Sequence, residues 1–217
     1  MFSRLLNHLE LRSFFLFGPR GTGKSSWLRS YFPSALFFDL LDAATHDRLL
    51  AHPERLEEAI PQEHTDWVVI DEVQKIPRLL DQVHRLIESR KLKFALSGSS
   101  ARKLKRGGAN LLAGRAATLR MFPLTAAELG AAFRVDRTLQ FGHLPMAVTA
   151  TDPRAFLRDY LHTYLKEEIQ NEGLTRNVSS FARFASYYSF HPRSDERVLR
   201  SQNKLLTELF HHSNRTS

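Results

Sequence analysis

The chain has 217 residues, of which 42% are hydrophobic and 25% charged, with no cysteine and a net charge of +8. This length suits one core domain with an appendage, and the composition excludes disordered, fibrous and disulfide-stapled classes. No apolar run approaches a bilayer span and the N-terminal residues lack the unbroken apolar stretch of a signal peptide, so the sequence is read as cytoplasmic, without membrane contact.

In chain order, Arg12 to Phe17 (RSFFLF) is a short apolar run that stops at a glycine turn, as a buried strand does, and KSSWLRSYF after the turn reads as a helix. Ser34 to Leu40 is a second strand, followed by polar helical segments around DRLL and ERLEEAI. Trp67 to Glu72 (WVVIDE) is a third strand, rich in β-branched residues. PRLLDQVHRLIES follows, with Pro77 at the N1 position and Leu79, Leu80, Val83, Leu86 and Ile87 at helical spacing. Lys91 to Ser100 gives a fourth strand and Ala116 to Phe122 a fifth. Strands alternating with helices predict an α/β fold, a five-stranded parallel sheet with helices on both faces. Beyond it, Thr125 and Glu128 form a capping box that starts a helix. Residues 141–153 read as an irregular connection, and from Pro153 an apolar stripe through Phe156, Leu157, Tyr160, Leu161, Tyr164, Leu165 and Ile169 predicts a short helical C-terminal segment.

Between the first strand and the first helix, Gly18, Pro19, Arg20, Gly21, Thr22, Gly23, Lys24 and Ser25 fit GxxxxGK[ST] in full, with Ser26 alongside. The glycines let successive N–H groups turn toward phosphates, Lys24 supplies a cation for the β and γ oxygens, and the Ser25 hydroxyl is a Mg²⁺ ligand. The glycine spacing does not fit the dinucleotide pattern GxGxxG. Asp71, at the C-terminal end of the third strand, is placed to hold the Mg²⁺ water shell, and Glu72 to orient and deprotonate a water for attack on the γ-phosphate. At the tip of the fourth strand, Ser97 and Ser99 are candidates for a hydrogen bond to that water or to the γ-phosphate, against the plainer reading of a Gly/Ser turn. Arg115, just before the fifth strand, is a candidate for stabilising transition-state charge, in cis or from a neighbouring subunit of a homo-oligomer.

From Ser89 to Ala127 the basic residues Arg90, Lys91, Lys93, Arg102, Lys103, Lys105, Arg106, Arg115 and Arg120 occur with no acidic one. Such a stretch attracts phosphates of a nucleotide or of nucleic acid, or is a solvated basic face.

Taken together, GPRGTGKS, VVIDEVQKIP, FALSGSSARKL and LLAGRAATLRMFPLTAAEL, in this order, resemble the AAA-type bacterial and archaeal ATPases that carry a C-terminal domain of unknown function. The resemblance covers roughly residues 12–185, including GHLP and FLRDYLHTYLKEEI. It implies that the strand ending in FALSGSS lies between the P-loop strand and the VVIDE strand, and that Lys24, Ser25, Asp71 and Glu72 carry ATP binding and hydrolysis. It also implies a P-loop ATPase core over 1–132, a connection and the first helices of a C-terminal domain over 133–185, and an atypical tail over 186–217. That tail is read as the product of a frameshift near Ser186, its rival being a naturally short variant. The expected function is Mg²⁺-dependent ATP hydrolysis coupled to movement of an attached domain or partner. The alternatives are a nucleotide-dependent nucleic-acid-binding module, an inert truncated relic and, weakened by Glu72 next to Asp71, a small-molecule kinase; ATP is preferred to GTP because no NKxD sequence is present.

Overall fold

A computed structural model of the chain describes residues 2–6, 12–99, 101, 104 and 112–165. Its centre is a sheet of five strands, β1 (Phe14–Phe17), β2 (Leu36–Asp39), β3 (Trp67–Asp71), β4 (Lys93–Gly98) and β5 (Ala117–Arg120). All are parallel, in the order β2-β3-β4-β1-β5. β4 thus lies between the P-loop strand and β3, as the resemblance implied.

Strand alternation sends successive side chains to opposite faces, and this builds two cores from one sheet. Phe14 and Leu16 of β1, Val69 of β3, Ala95 of β4 and Leu119 of β5 pack on Trp27 and Leu28 of helix α1 (Lys24–Tyr31). Phe15 and Phe17, Val68 and Ile70, and Phe94 and Leu96 point the other way. They meet Leu49 of α2 (Ala43–Ala51), Leu56 of α3 (Arg55–Glu58) and Leu79, Leu80, Val83 and Leu86 of α4 (Leu79–Arg90). Helices therefore cover both faces. β5, at the edge, alternates buried Ala117 and Leu119 with exposed Thr118 and Arg120. Each large apolar side chain buried in this way contributes about 1.5–3 kcal/mol.

Helix ends follow local chemistry. Asp42 caps α2 by accepting the Thr45 N–H at 2.8 Å. The expected capping box is present at α5 (Ala126–Leu129), with Thr125 and Glu128 each accepting the other's backbone N–H. Pro77 does not take the N1 position of α4; it sits in a turn whose carbonyl accepts from Leu80, and the regular helix starts at Leu79. The stretch read as an irregular connection holds α7 (Pro145–Thr149), preceded by α6 (Val135–Phe141). Neither has a side-chain cap, which removes the signal by which a short helix is read from sequence; Pro145 at the start of α7 is the one cue.

The chain divides into two compact units, Met1–Pro153 and Arg154–Ser217. The described part of the second is most of α8 (Pro153–Tyr160) and a π-helical turn, Leu161–Leu165. Ile169 of the expected stripe, and the tail from Ser186, lie outside the described residues.

Candidate functional site

The C-terminal ends of β1, β3 and β4 converge because the strands are parallel and adjacent, and the glycine-rich loop leaves β1 at that edge. Gly18 donates its N–H to the Gly98 carbonyl at 3.3 Å, tying the loop to the tip of β4. A Cβ at position 18 would run into the Met121 carbonyl, so only glycine lets the loop pass β5 here. Gly23, at φ 92°, ends the loop in the left-handed region and opens α1, its carbonyl accepting the Trp27 N–H at 2.9 Å. The Thr22 hydroxyl donates to the Pro19 carbonyl at 2.8 Å, closing the loop on itself.

Lys24 is only 5% exposed, and its Nζ donates to the carbonyls of Gly18 at 2.7 Å and Pro19 at 3.0 Å. The ammonium thus lies across the loop it belongs to, beside backbone N–H groups at the positive end of α1. Arg20 is half-buried, Ser25 half-buried, and Ser26 and Pro19 are exposed.

Asp71, 1% exposed, and Ser97, fully buried, stand at neighbouring strand ends and alternate to the face that α1 covers. The Ser97 hydroxyl donates to Asp71 Oδ1 and accepts the backbone N–H of Glu72 at 3.1 Å. Ser97, proposed from sequence as a partner of water or phosphate, is therefore bonded to the acidic strand, while Ser99 is half-buried at the tip of the loop beyond. Glu72 has φ 59° and ψ 42°, a left-handed conformation that costs a residue with a side chain about 1–2 kcal/mol. Its N–H on Ser97 and its carbonyl, which accepts the Lys75 N–H at 2.9 Å, hold it there. Strain of this kind concentrates at functional sites.

Sequence reading missed two features. Gln74, buried in a 3₁₀ turn (Val73–Lys75), donates its side-chain amide to Glu72 Oε2. Beside α1 there is also a cavity of about 230 Å³, bounded by Phe2, Arg4, Thr22, Gly23, Ser26, Trp27, Leu124 and Pro145. Arg4 pairs with Glu128 at 3.3 Å and donates to the Phe122 carbonyl, while its Nε and Nη1 make no hydrogen bond among the described residues. Burial lowers the Arg4 pKa, opposed by the charge of Glu128. The walls come from four separate segments, so no local motif announces this cavity.

The structure does not bring Arg115 to the site. It precedes β5, at the sheet edge where strands begin, and its guanidinium donates to Glu88 of α4. Ala117 pairs with Phe14, so Arg115 lies beside the start of β1; from there to Gly18 the sheet spans about 20 Å at about 3.3 Å per residue. A role for Arg115 in cis is closed by this topology, because the P-loop leaves the opposite edge. Of the basic stretch, Arg102, Lys103, Lys105 and Arg106 lie outside the described residues. Arg90 donates to the carbonyls of Ile60, Pro61 and Gln62.

A parallel sheet in this strand order, with a GxxxxGK[ST] loop leaving the interior strand β1 and an acidic strand two places away, defines a P-loop nucleoside-triphosphate-binding domain of ATPase type. The family model described as AAA domain matches residues 11–130, more than half of the chain, and the chain belongs to that family. Three DNA-bound solved structures are similar to it at low identity. Against the Aeropyrum pernix Orc1 protein the identity is 16%, with a TM-score of 0.39, over 82% of this chain and 60% of that one. Against Drosophila ORC bound to DNA it is 17%, with a TM-score of 0.38, over 71% and 51%. Against Drosophila ORC bound to GC-rich DNA and Cdc6 it is 14%, with a TM-score of 0.33, over 91% and 77%. The chain thus spans 60% and 51% of the length of the first two. No curated protein matches it significantly.

Proposed function

We propose that this chain binds ATP and hydrolyses it with Mg²⁺, and that hydrolysis drives movement of an attached domain or a partner. The observation that carries the reading is the coupling of Asp71, Ser97 and Glu72 into one buried cluster at the strand ends next to the glycine loop. The residues fit a metal–nucleotide complex: a glycine-rich loop turned at Gly23 into the start of α1, a buried ammonium lying across it, and a buried carboxylate held by a hydroxyl. Mg²⁺, held by Ser25 and through water by Asp71, supplies neutralisation of the β- and γ-phosphate oxygens when bound.

In this reading the loop from Gly18 to Ser26 wraps the phosphates, its N–H groups from Arg20 onward binding them, and Lys24 exchanges its backbone carbonyls for phosphate oxygens. Glu72 accepts a proton from the attacking water as its oxygen bonds to the γ-phosphorus; the bond to the β,γ-bridging oxygen breaks and ADP and phosphate leave. The nucleoside occupies the cavity beside α1, against Trp27 and Leu124. Arg115, remote in its own subunit, serves only from a neighbouring copy. We place the protein in the cytoplasm; among the described residues no helix is long and apolar enough to cross a membrane.

Nucleic-acid binding through residues 89–127 ranks lower, because Arg90 and Arg115 already have partners within the chain. The test is ATP turnover by the full chain beside Lys24→Ala and Glu72→Gln. Loss of binding in the first, and binding without turnover in the second, are expected; unchanged phosphate release by Glu72→Gln would overturn the assignment.

A further inference from the structure

We propose that Gln74 is a positioning residue for Glu72, its amide fixing the carboxylate and Gly98 providing the space; this rests on the reading that Glu72 activates water. Gln74 is 7% exposed and sits between Val73 and Ile76, both buried in the core, so its turn is anchored from two sides. Its Nε2 donates to Glu72 Oε2, whereas its Oε1, also buried, makes no hydrogen bond among the described residues. The orientation is dictated by chemistry: an ionised carboxylate only accepts, so a flipped amide would set two acceptors against each other.

An orphaned buried acceptor is costly, and a leucine or methionine would fill the same volume without one. The glutamine is therefore explained by what its other end does. The Oε1 end lies over Gly98, the last residue of β4, where an added Cβ would come within 2.5 Å of it. Any residue but glycine would push the amide away. Three independent contacts then converge on Glu72: Ser97 on its N–H, Lys75 on its carbonyl, and Gln74 on one carboxylate oxygen, which leaves Oε1 of Glu72 for the proton of water. Such constraint matters because a displacement of about 1 Å in a reacting group can lower a rate by about 10²-fold.

The experiment compares the full chain with Gln74→Leu, Gly98→Ala, the double variant and Glu72→Gln. Gln74→Leu and Gly98→Ala should each lower kcat for ATP on the order of 10-fold to 10²-fold. Nucleotide Kd, read from Trp27 fluorescence, should stay unchanged in Gln74→Leu, and the double variant should have a kcat no worse than the poorer single one. Independently of turnover, the Gln74 side-chain amide signal in a ¹⁵N–¹H spectrum, identified by its loss in Gln74→Leu, should move in Glu72→Gln. Parental kcat in both Gln74→Leu and Gly98→Ala, with Glu72→Gln stalled, overturns the positioning role alone. Parental turnover by Glu72→Gln overturns the water-activation reading and this inference with it. An amide signal indifferent to Glu72→Gln removes the contact itself.

Discussion

The hydroxyl of Ser97 donates to the Asp71 carboxylate and at the same time accepts the backbone N–H of Glu72, so one small side chain on β4 fixes two acidic residues of β3 and its exit. The arrangement needs β4 to lie directly beside β3, which the strand order provides. Ser97→Ala leaves a buried carboxylate and a buried N–H each short of a partner. The expected loss of stability is about 1–3 kcal/mol for these unsatisfied groups. Thermal unfolding of the variant beside Ser99→Ala checks it, since Ser99 is half-buried and should change little. Equal melting temperatures for the two variants would refute the bridging role.

Gly18→Ala tests the close approach between the loop and β5. The added methyl meets the Met121 carbonyl, part of the backbone that also donates the Met121 N–H to the Phe17 carbonyl at 2.8 Å. Neither side can yield without parting β5 from β1 or displacing the loop. Nucleotide binding should fall at least as far as in Lys24→Ala, and unfolding should shift downward, whereas Gly142→Ala, which meets no neighbouring atom, should leave binding intact despite its positive φ. Retained nucleotide affinity in Gly18→Ala would show that the loop tolerates displacement.

Features that depend on local chemistry were legible in the sequence, and those that depend on distant segments were not. The glycine loop, the apolar runs of β1 and β3 and the Thr125–Glu128 box each declare themselves within a few residues. Gln74 does not, because a single polar residue in a 3₁₀ turn has no periodicity, and its meaning arises only when Gly98 is brought opposite it. Arg4 is silent for the same reason, its partners Phe122 and Glu128 lying more than a hundred residues along the chain. The placement of Arg115 was within reach: a residue that precedes a parallel strand lies at the edge opposite a loop that follows one.

Arg115→Ala removes an exposed ion pair with Glu88, whose carboxyl the arginine holds below its ordinary range, first by the hydrogen bond and then by charge. Folding stability should be nearly unaffected. In dilute solution, ATP turnover should also match the parent, because the guanidinium lies at the far edge of its own sheet. If a neighbouring copy receives this arginine, turnover per chain rises with protein concentration in the parent and stays flat in Arg115→Ala. A loss of turnover already present at the lowest concentration would contradict the topology argument.

Glu128 ties the segment 2–6 to the start of α5. Burial raises its pKa, but N–H groups of Thr125 and Leu5, the charge of Arg4 and the Thr125 hydroxyl outweigh this and hold it below the ordinary glutamate range. A carboxyl depressed in the folded state stabilises the fold above its unfolded pKa, and that contribution disappears as pH falls through the lower folded value. Glu128→Gln should therefore be less stable than the parent at pH 7, and the gap should close below about pH 4. The sign follows from the ionised form being the one that accepts all these bonds. Since Arg4 also bounds the cavity beside Trp27, the same acid range should loosen the segment 2–6 and change Trp27 emission in the parent more than in Glu128→Gln. Melting temperature and emission recorded from pH 7 to about pH 3 give both readings. Curves for the two proteins that run parallel across the range would show that Glu128 does not supply the acid sensitivity.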